Sequence, residues 1–456
     1  MAKANKALKL KSSKSKGTTI KKAAATKLKK PMKAAAPKAK ITKLAKKEKP
    51  AKASKKEAVG KKPSKSPVAL VKAEKSNKPP IPLQNPAKLF MEFWKPKDDT
   101  FMSAIRAFFN EYSVPGSNDN QKNENAESII RKIEDHLRRE AVPEQILLEW
   151  RERFDAQRIR QLSAIVAMKP RTTIRLNVLK ADINGFAASR TGQELQVKRG
   201  RLSPFAFDVA ADINPNEHPI FDRGIFEIED EASQFASLLV NARPGQRILD
   251  LCAREGDHSL GIAAMMKNKG SLFVYDSDPS KTKILKARAD RAGLENYRIV
   301  TDGQIAEVKS LDAVLVDAPC SGNGLLGRRP EIKWRFKKDD LPKLQKVQAA
   351  LLREAARKLK LGGRVIYATS SLNMSENEHQ IEHFLKNSHN SFRLVPGSEY
   401  LKNYVLDFVK NFYGLEMDED LMKSITTFDP FLFLAPDQLG TNGLFVAIIE
   451  RIRISN

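Results

Sequence analysis

Cysteine, arginine and aromatic residues are each scarce where common classes of protein would need them. Only two cysteines, Cys252 and Cys320, occur among 456 residues. That excludes a disulfide scaffold and most zinc modules, and it suits a reducing compartment. No run of 18 or more apolar residues is present, so no membrane-spanning helix is expected. The N-terminal segment carries charge without an apolar stretch, so it does not read as a secretory signal. Residues 1–80 hold no arginine, unlike a mitochondrial transit peptide, and no aromatic residue precedes Phe90.

What residues 1–80 do hold is lysine, 27 against 3 glutamates, within a chain of formal net charge +27. The rest of the chain is nearly neutral, with 54 basic and 51 acidic side chains. Short Lys/Ala repeats such as Lys21–Lys27 and Ala34–Lys40 have too little apolar surface to offset the entropy of ordering. A disordered tail is predicted over 1–84, with Pro79, Pro80 and Pro82 marking its hinge. Dense lysine favours sequence-blind, salt-sensitive contact with a polyanion over mere solubilisation.

The remaining sequence divides into three parts. Over 85–168 apolar residues recur at helical spacing: Leu89, Phe93, Phe101, Ile105 and Phe108-Phe109; then Ile129-Ile130, Ile133 and Leu137; then Ile146-Leu147 with Trp150. The polar run Pro115–Glu127 reads as a loop, and the region as packing helices without chemistry. Over 169–243 alternation in Thr173–Leu179 opens a small α/β module. Over 244–453 strands alternate with helices, the pattern of a doubly wound, mostly parallel Rossmann-like sheet. Strands are predicted at Arg247–Leu251, Ser271–Asp276, Tyr297–Asp302, Ala313–Pro319 and Arg364–Ser370. A helix is predicted over Leu341–Leu361, with Asp340 as its cap, Pro342 in its first turn, Gly362-Gly363 as its stop, and Leu344, Val347, Leu351, Ala355 and Leu359 on its buried face.

Ligands of such sheets bind beyond the carboxyl ends of the strands. Four successive predicted ends carry Asp250, Asp276, Asp302 and Asp317. A carboxylate at the second strand suits ribose hydroxyls, and one at the third can accept an adenine amino hydrogen, so a nucleoside-type cofactor is expected. Two other matches carry less weight. Gly322–Gly327 fits G-x-G-x-x-G but follows the fourth strand, without a helix start. His379–His383 fits H-x-x-E-H with no obvious third ligand. No metal is expected.

Asp317-Ala318-Pro319-Cys320-Ser321-Gly322, with Arg328, Pro330, Lys333 and Trp334, is a long and specific string. It resembles the signature of the Sun/RsmB-type RNA cytosine-C5 methyltransferases. Arg175–Lys180, Gly224–Gln234 and Gly440–Phe445 resemble further segments of that family, and the likeness spans about 170–453. It implies a methyltransferase sheet, S-adenosylmethionine as cofactor, and RNA, either rRNA or tRNA, as partner. It implies cofactor contacts at Cys252, Ala253, Arg254, Glu255, Gly256, Asp257, His258, Asp276, Asp302 and Asp317. It also implies RNA contacts at Arg175, Asn177, Lys180, Arg328 and Lys333. A monomer is expected, with no membrane partner, cytoplasmic in a bacterium and nuclear or nucleolar in a eukaryote.

In that family a thiolate adds to cytosine C6, C5 takes a methyl group, and the C5 proton and the thiol then leave. The resemblance assigns adduct stabilisation to Asp317 and product release to Cys320, and it places the nucleophile where this chain has Ser370 in Thr369-Ser370-Ser371. A hydroxyl ionises far less readily than a thiol and needs an adjacent base. The family loop C-A-A-P-G-G-K reads Cys252-Ala253-Arg254-Glu255-Gly256-Asp257-His258 here, and Glu229 replaces a usual Gln. Glu255 and Asp257 would repel the cofactor's carboxylate or attract its amino group. Three functions follow: a cytosine methyltransferase using Cys320, an RNA-binding protein without transfer, or a methyltransferase acting on another atom.

Overall fold

The computed structural model describes residues 138–139, 141–210 and 214–453. The Lys-rich tail, the stripes Leu89–Phe109 and Ile129–Leu137 and the loop Pro115–Glu127 lie outside them. Among the described residues no helix is long and apolar enough to cross a membrane.

Two sheets organise the chain. The first is antiparallel, in the order β2-β3-β1-β4, from β1 (Thr172–Leu176), β2 (Val197–Arg199), β3 (Ala206–Val209) and β4 (Phe226–Ile228). β1 ends earlier than its alternation predicts because Asn177 turns the chain. Its amide donates to Gly224 O at 2.9 Å and Ala292 O at 2.8 Å.

The second sheet holds β5 (Arg247–Asp250), β6 (Ser271–Val274), β7 (Tyr297–Ile299), β8 (Leu311–Asp317), β9 (Leu359–Thr369), β10 (Phe392–Val395), β11 (Leu432–Leu434) and β12 (Leu444–Arg451). The order is β10-β12-β9-β8-β5-β6-β7, with β11 on β12. β5 to β9 are mutually parallel, while β10, β11 and β12 pair antiparallel. Side chains alternate between two cores, as the pleat requires. Ile248, Ala313, Leu315, Ile366 and Ala368 enter one core, while Leu249, Val314, Val316, Val365 and Tyr367 enter the other. The first core is continuous with the small sheet through α3 (Glu231–Leu239), whose Asp230 caps Ala232 N at 3.0 Å. The second is closed by α1 (Glu144–Trp150) and α2 (Ala156–Val166) through Ile146, Trp150, Leu162 and Val166.

Helices α4 (Asp257–Met265), α5 (Pro279–Ala292), α6 (Leu341–Lys358) and α7 (Glu378–Lys386) connect the strands. α6 departs from its predicted form. It ends at Lys358 and β9 starts at Leu359, so Gly362 and Gly363 lie inside a strand, near the register shift between Leu311 and Ala313. A Cβ on Gly363 would sit 2.6 Å from Leu311 O, so the glycine permits strand contact there instead of stopping a helix. Asp340 makes no side-chain cap and instead pairs with Lys343 at 2.8 Å. The buried face runs through Leu341, Gln348, Leu352 and Ala355, while Val347 is exposed. Burial of Gln348, a polar residue, rotates the stripe away from the one hydrophobicity predicts.

Candidate functional site

Order reverses beside β5, with β6 and β7 on one side and β8 and β9 on the other, which opens a crevice at the strand ends. Parallel register pairs Asp250 with Val274 and Leu315, Val274 with Ile299, and Asp317 with Ala368. β6 and β7 stop short of their predicted ends, so Asp276 stands in the loop beyond its strand and Asp302 opens a short helix, Asp302–Ile305. The loop after β5 folds over this edge. Ala253 N bonds Tyr275 O at 3.0 Å, Gly256 N bonds Ala253 O at 2.8 Å, and Arg254 N bonds the Asp276 carboxylate at 2.8 Å. Gly256 has φ +94°, and a Cβ there would lie 2.7 Å from Leu285 Cγ.

The loop side chains converge on Asp317. The Arg254 guanidinium is ion-paired with it, and His258 Nε2 lies 3.2 Å from its Oδ2. Ser237 Oγ holds His258 Nδ1 at 2.9 Å. Burial alone would raise the Asp317 carboxyl, but the two cations outweigh it and bring it down to about 2. Burial alone would discharge His258, but the Asp317 hydrogen bond and the charges of Asp317, Asp250 and Glu229 raise it to about 9. At neutral pH the pair is therefore carboxylate and imidazolium. Asp250, fully buried, is raised to about 6 by desolvation. Its Oδ2 accepts from Ser259 Oγ at 2.6 Å, while its Oδ1 has no partner.

The segment carrying the carboxylates that replace family glycine and proline is held by Arg288. Asp257 is bound by Arg288 at 2.7 Å. Burial would raise its carboxyl, yet Arg288 outweighs that and leaves it lowered. Glu255 is exposed, and its carbonyl accepts from the same Arg288 at 3.0 Å. Asp302 accepts from the Tyr275 hydroxyl at 2.8 Å.

Cys320 and Ser370 are brought together. The backbone of Ser370 and Gly322 near the Cys320 thiol favours its ionisation, yet burial, with Glu376 and Asp317, pushes it up to about 12. Burial and the neighbouring carboxylates also raise the Cys252 thiol well above its usual range. Sequence reasoning missed Glu376, which is fully buried beneath both loops. It accepts from Ser321 N at 2.8 Å, Ser321 Oγ at 2.5 Å, Ser371 Oγ at 2.6 Å, Asn373 at 3.1 Å and Gln348 at 3.1 Å. So many donors satisfy a buried carboxylate and tie the segment after β8 to the one after β9. The small polar cluster Ser370–Asn377 directly after a strand was the available signal.

The five residues expected to meet RNA are differently placed. Arg175 is buried and paired with Glu229 at 2.5 Å, where burial raises the Glu229 carboxyl despite the pairing. Asn177 and Lys333 are buried, and Lys333 donates to Arg138 O at 2.9 Å. Lys180 is exposed and donates to Arg223 O and Arg291 O. Arg328 is half-buried on Asp230 at 2.9 Å. Arg175, Asn177 and Lys333 thus point into the protein because each satisfies a buried polar partner. His379, Glu382 and His383 are exposed, and among the described residues no group of three or more His, Cys, Asp or Glu could hold a metal.

Residues 237–450 match the family described as 16S rRNA methyltransferase RsmB/F. A probable ribosomal RNA small subunit methyltransferase B of Bacillus subtilis is 30% identical over 330 residues, covering 70% of this chain and 69% of that protein. The chain belongs to the RsmB/F family. Two solved Pyrococcus horikoshii structures share the fold. A methyltransferase homolog is 24% identical with TM-score 0.53, covering 65% of this chain and 91% of its own. NSun6 is 15% identical with TM-score 0.56, covering 69% and 100%. RsmB/F proteins are S-adenosylmethionine-dependent RNA methyltransferases.

The residues present fit that cofactor. Gly256, in a left-handed conformation, lets the loop turn closely against Leu285, Asp276 and Asp302 stand beyond their strands, and Asp250 keeps a buried oxygen without a partner. Gly256→Ala should cost about 1–3 kcal/mol through its left-handed backbone and weaken S-adenosylmethionine binding. Thermal melting with titration calorimetry reads both, and unchanged values would show that the loop relaxes around the methyl.

Proposed function

We propose that this protein is an RNA cytosine-C5 methyltransferase acting as a monomer on structured rRNA or tRNA, with Cys320 as its nucleophile. The reading is supported above all by one juxtaposition: Asp317 and Cys320 leave β8 together, and the thiol meets the backbone of Ser370 at the end of β9. The same proposal takes 1–84 as a polyanion-binding tail, 85–168 as a helical region, 169–243 as an RNA-binding module and 244–453 as the catalytic part. In a bacterial cell the protein is cytoplasmic, in a eukaryotic one nuclear or nucleolar.

The loop Cys252–His258, with Asp276 and Asp302, would hold S-adenosylmethionine, which supplies an electrophilic methyl group. The chain's own residues handle the base. Addition of the Cys320 sulfur to C6 opens the C5–C6 double bond and raises electron density at C5. Once C5 carries the methyl group, transfer of its proton to a solvent base re-forms the C5–C6 double bond, breaks the C6–S bond and releases the Cys320 thiolate. Arg254 and His258 keep Asp317 ionised, so it acts only as an acceptor, toward the cytosine amino group or a protonated N3. Arg254, whose side chain is half exposed, would also meet the cofactor's carboxylate.

A second reading, RNA binding without transfer, is favoured by the Cys320 thiol lying near 12 and by a Ser370 hydroxyl that no base bonds among the described residues. Incubation with labelled S-adenosylmethionine and unmodified rRNA or tRNA, followed by nucleoside mass spectrometry, separates the two. 5-Methylcytosine supports transfer, while bound RNA with no methylated nucleoside supports the second reading. Deleting residues 1–80 should flatten the dependence of log K on log salt, by about 0.7 for each phosphate of a single strand that the tail neutralises. An unchanged slope would assign the basic contacts to the folded body.

A further inference from the structure

A basic groove lies far from the strand ends. α6, α7 and the strands β10 and β12 enclose a groove of about 410 Å³, lined among others by Arg353, Arg357, His383, His389, Phe392 and Arg451. No lining residue is acidic. The nearest ion pair is Arg357 with Glu354 at 3.9 Å, across a guanidinium side chain 77% exposed, and Glu354 itself sits closer to Lys358, at 2.8 Å. Arg353 has no carboxylate partner among the described residues and is exposed. Phe384 and Phe392 form the floor as an edge-to-face pair with centroids 5.4 Å apart, and Arg451 lies 5.9 Å from the Phe392 ring.

Position separates this groove from the methyl-transfer site. Arg451 bonds Leu359 O at 2.7 Å, which pins it to the first residue of β9. Ser370 follows the last residue of the same strand. Ten residue steps at about 3.3 Å each put the two ends roughly 30 Å apart. One nucleotide cannot occupy both places.

We infer that this groove binds a single-stranded segment of the substrate RNA distant from the target base. Guanidinium groups meet phosphates, and the Phe392 ring offers a face or edge for a base. Charge complementarity selects the occupant. The Lys-rich tail of the chain itself is repelled by three arginines, and a neutral apolar peptide would leave them unpaired. The inference rests on the reading of the protein as an RNA-binding methyltransferase.

The test uses the full-length protein and a labelled structured rRNA fragment with a single-stranded extension. Arg353→Glu with Arg357→Glu alters two exposed positions, and Arg353→Gln with Arg357→Gln is the milder second pair. Circular dichroism and thermal melting check that both variants fold. Removing two guanidinium–phosphate pairs should reduce the salt slope by about 1.4 and weaken binding roughly tenfold, with S-adenosylmethionine affinity unchanged. Photocrosslinking from the extension should label the peptide containing Phe384–Phe392 in the wild type and not in the variants. RNA bound with wild-type affinity, slope and crosslink in both variants would overturn the groove while leaving the methyltransferase reading intact. Failure of the wild type to bind RNA at all would overturn both. Competition by polyglutamate as effective as by RNA would make the groove an acidic-protein surface and overturn the assignment to RNA.

Discussion

Replacing Cys320 by alanine should lower methyl transfer to cytosine by roughly a thousandfold or more, the scale on which removal of a covalent nucleophile acts. It should also abolish trapping by 5-fluorocytosine RNA. No other thiol is available: Cys252 is buried in the loop after β5, with its ionisation suppressed by burial and by the Asp250, Asp317 and Asp276 carboxylates. Because the Cys320 thiol lies near 12, less than about one molecule in ten thousand is thiolate at pH 7.5. Transfer should therefore rise about tenfold per pH unit between 7 and 9. Ser370→Cys places a thiol where the family carries its nucleophile, and it should gain trapping and rate near neutral pH. Methyl incorporation and covalent trapping, compared across wild type, Cys320→Ala and Ser370→Cys, decide the matter. Full turnover in Cys320→Ala would refute the assignment, since no suitably placed sulfur would remain.

Stability should fall between pH 7 and 9, and His258 should be the cause. Its folded pKa is raised to about 9 by the Asp317 hydrogen bond and neighbouring carboxylates that outweigh burial, against about 6.5 unfolded. The imidazolium's contribution is thus complete below about 6.5 and lost as pH rises through about 9. A shift of this size corresponds to something on the order of 3 kcal/mol. Asp250, raised to about 6 by desolvation, finishes titrating below this window, and Asp317, near 2, does not enter it. Urea midpoints for wild type and His258→Gln at pH 6.5 to 9 test the assignment. The wild type should lose stability from about pH 6.5 upward, while the variant should stay nearly flat to about pH 8 and then share only the loss caused by the two thiols whose ionisation the fold suppresses. Equal slopes would place the titration elsewhere. Asp317→Ala should cost more, about 3–5 kcal/mol, because it strands a buried imidazolium beside Arg254.

The doubly wound sheet was legible in the sequence because its strands are short apolar runs separated by amphipathic helices. Asp250 and Asp317 were legible as strand-end carboxylates for the same reason, since parallel strands bring their C-termini to one edge, while Asp276 and Asp302 fall two and three residues past the ends of their strands. α6 shows where that reasoning stops. Its buried face holds Gln348, and a glycine pair that reads as a stop lies within β9. Hydrophobic periodicity cannot register a buried amide whose partners, Pro319 O and Glu376, come from other segments.

By itself the sequence determined the cationic tail composition, the alternation of strand and helix, and the substitutions at Ser370 and in the loop Cys252–His258. Those are matters of residue identity and local spacing. Only the tertiary structure decided what the substitutions do. Arg254 and His258 both turn onto Asp317, Arg288 reaches across from α5 to neutralise Asp257, and Glu376 gathers five donors beneath Cys320 and Ser370. Arg175 is drawn inward by Glu229 rather than outward to RNA. Each of these is an electrostatic contact between residues dozens of positions or more apart, or a group taken out of water with its partners. Its sign and strength depend on distance and burial, neither of which exists until the chain has folded.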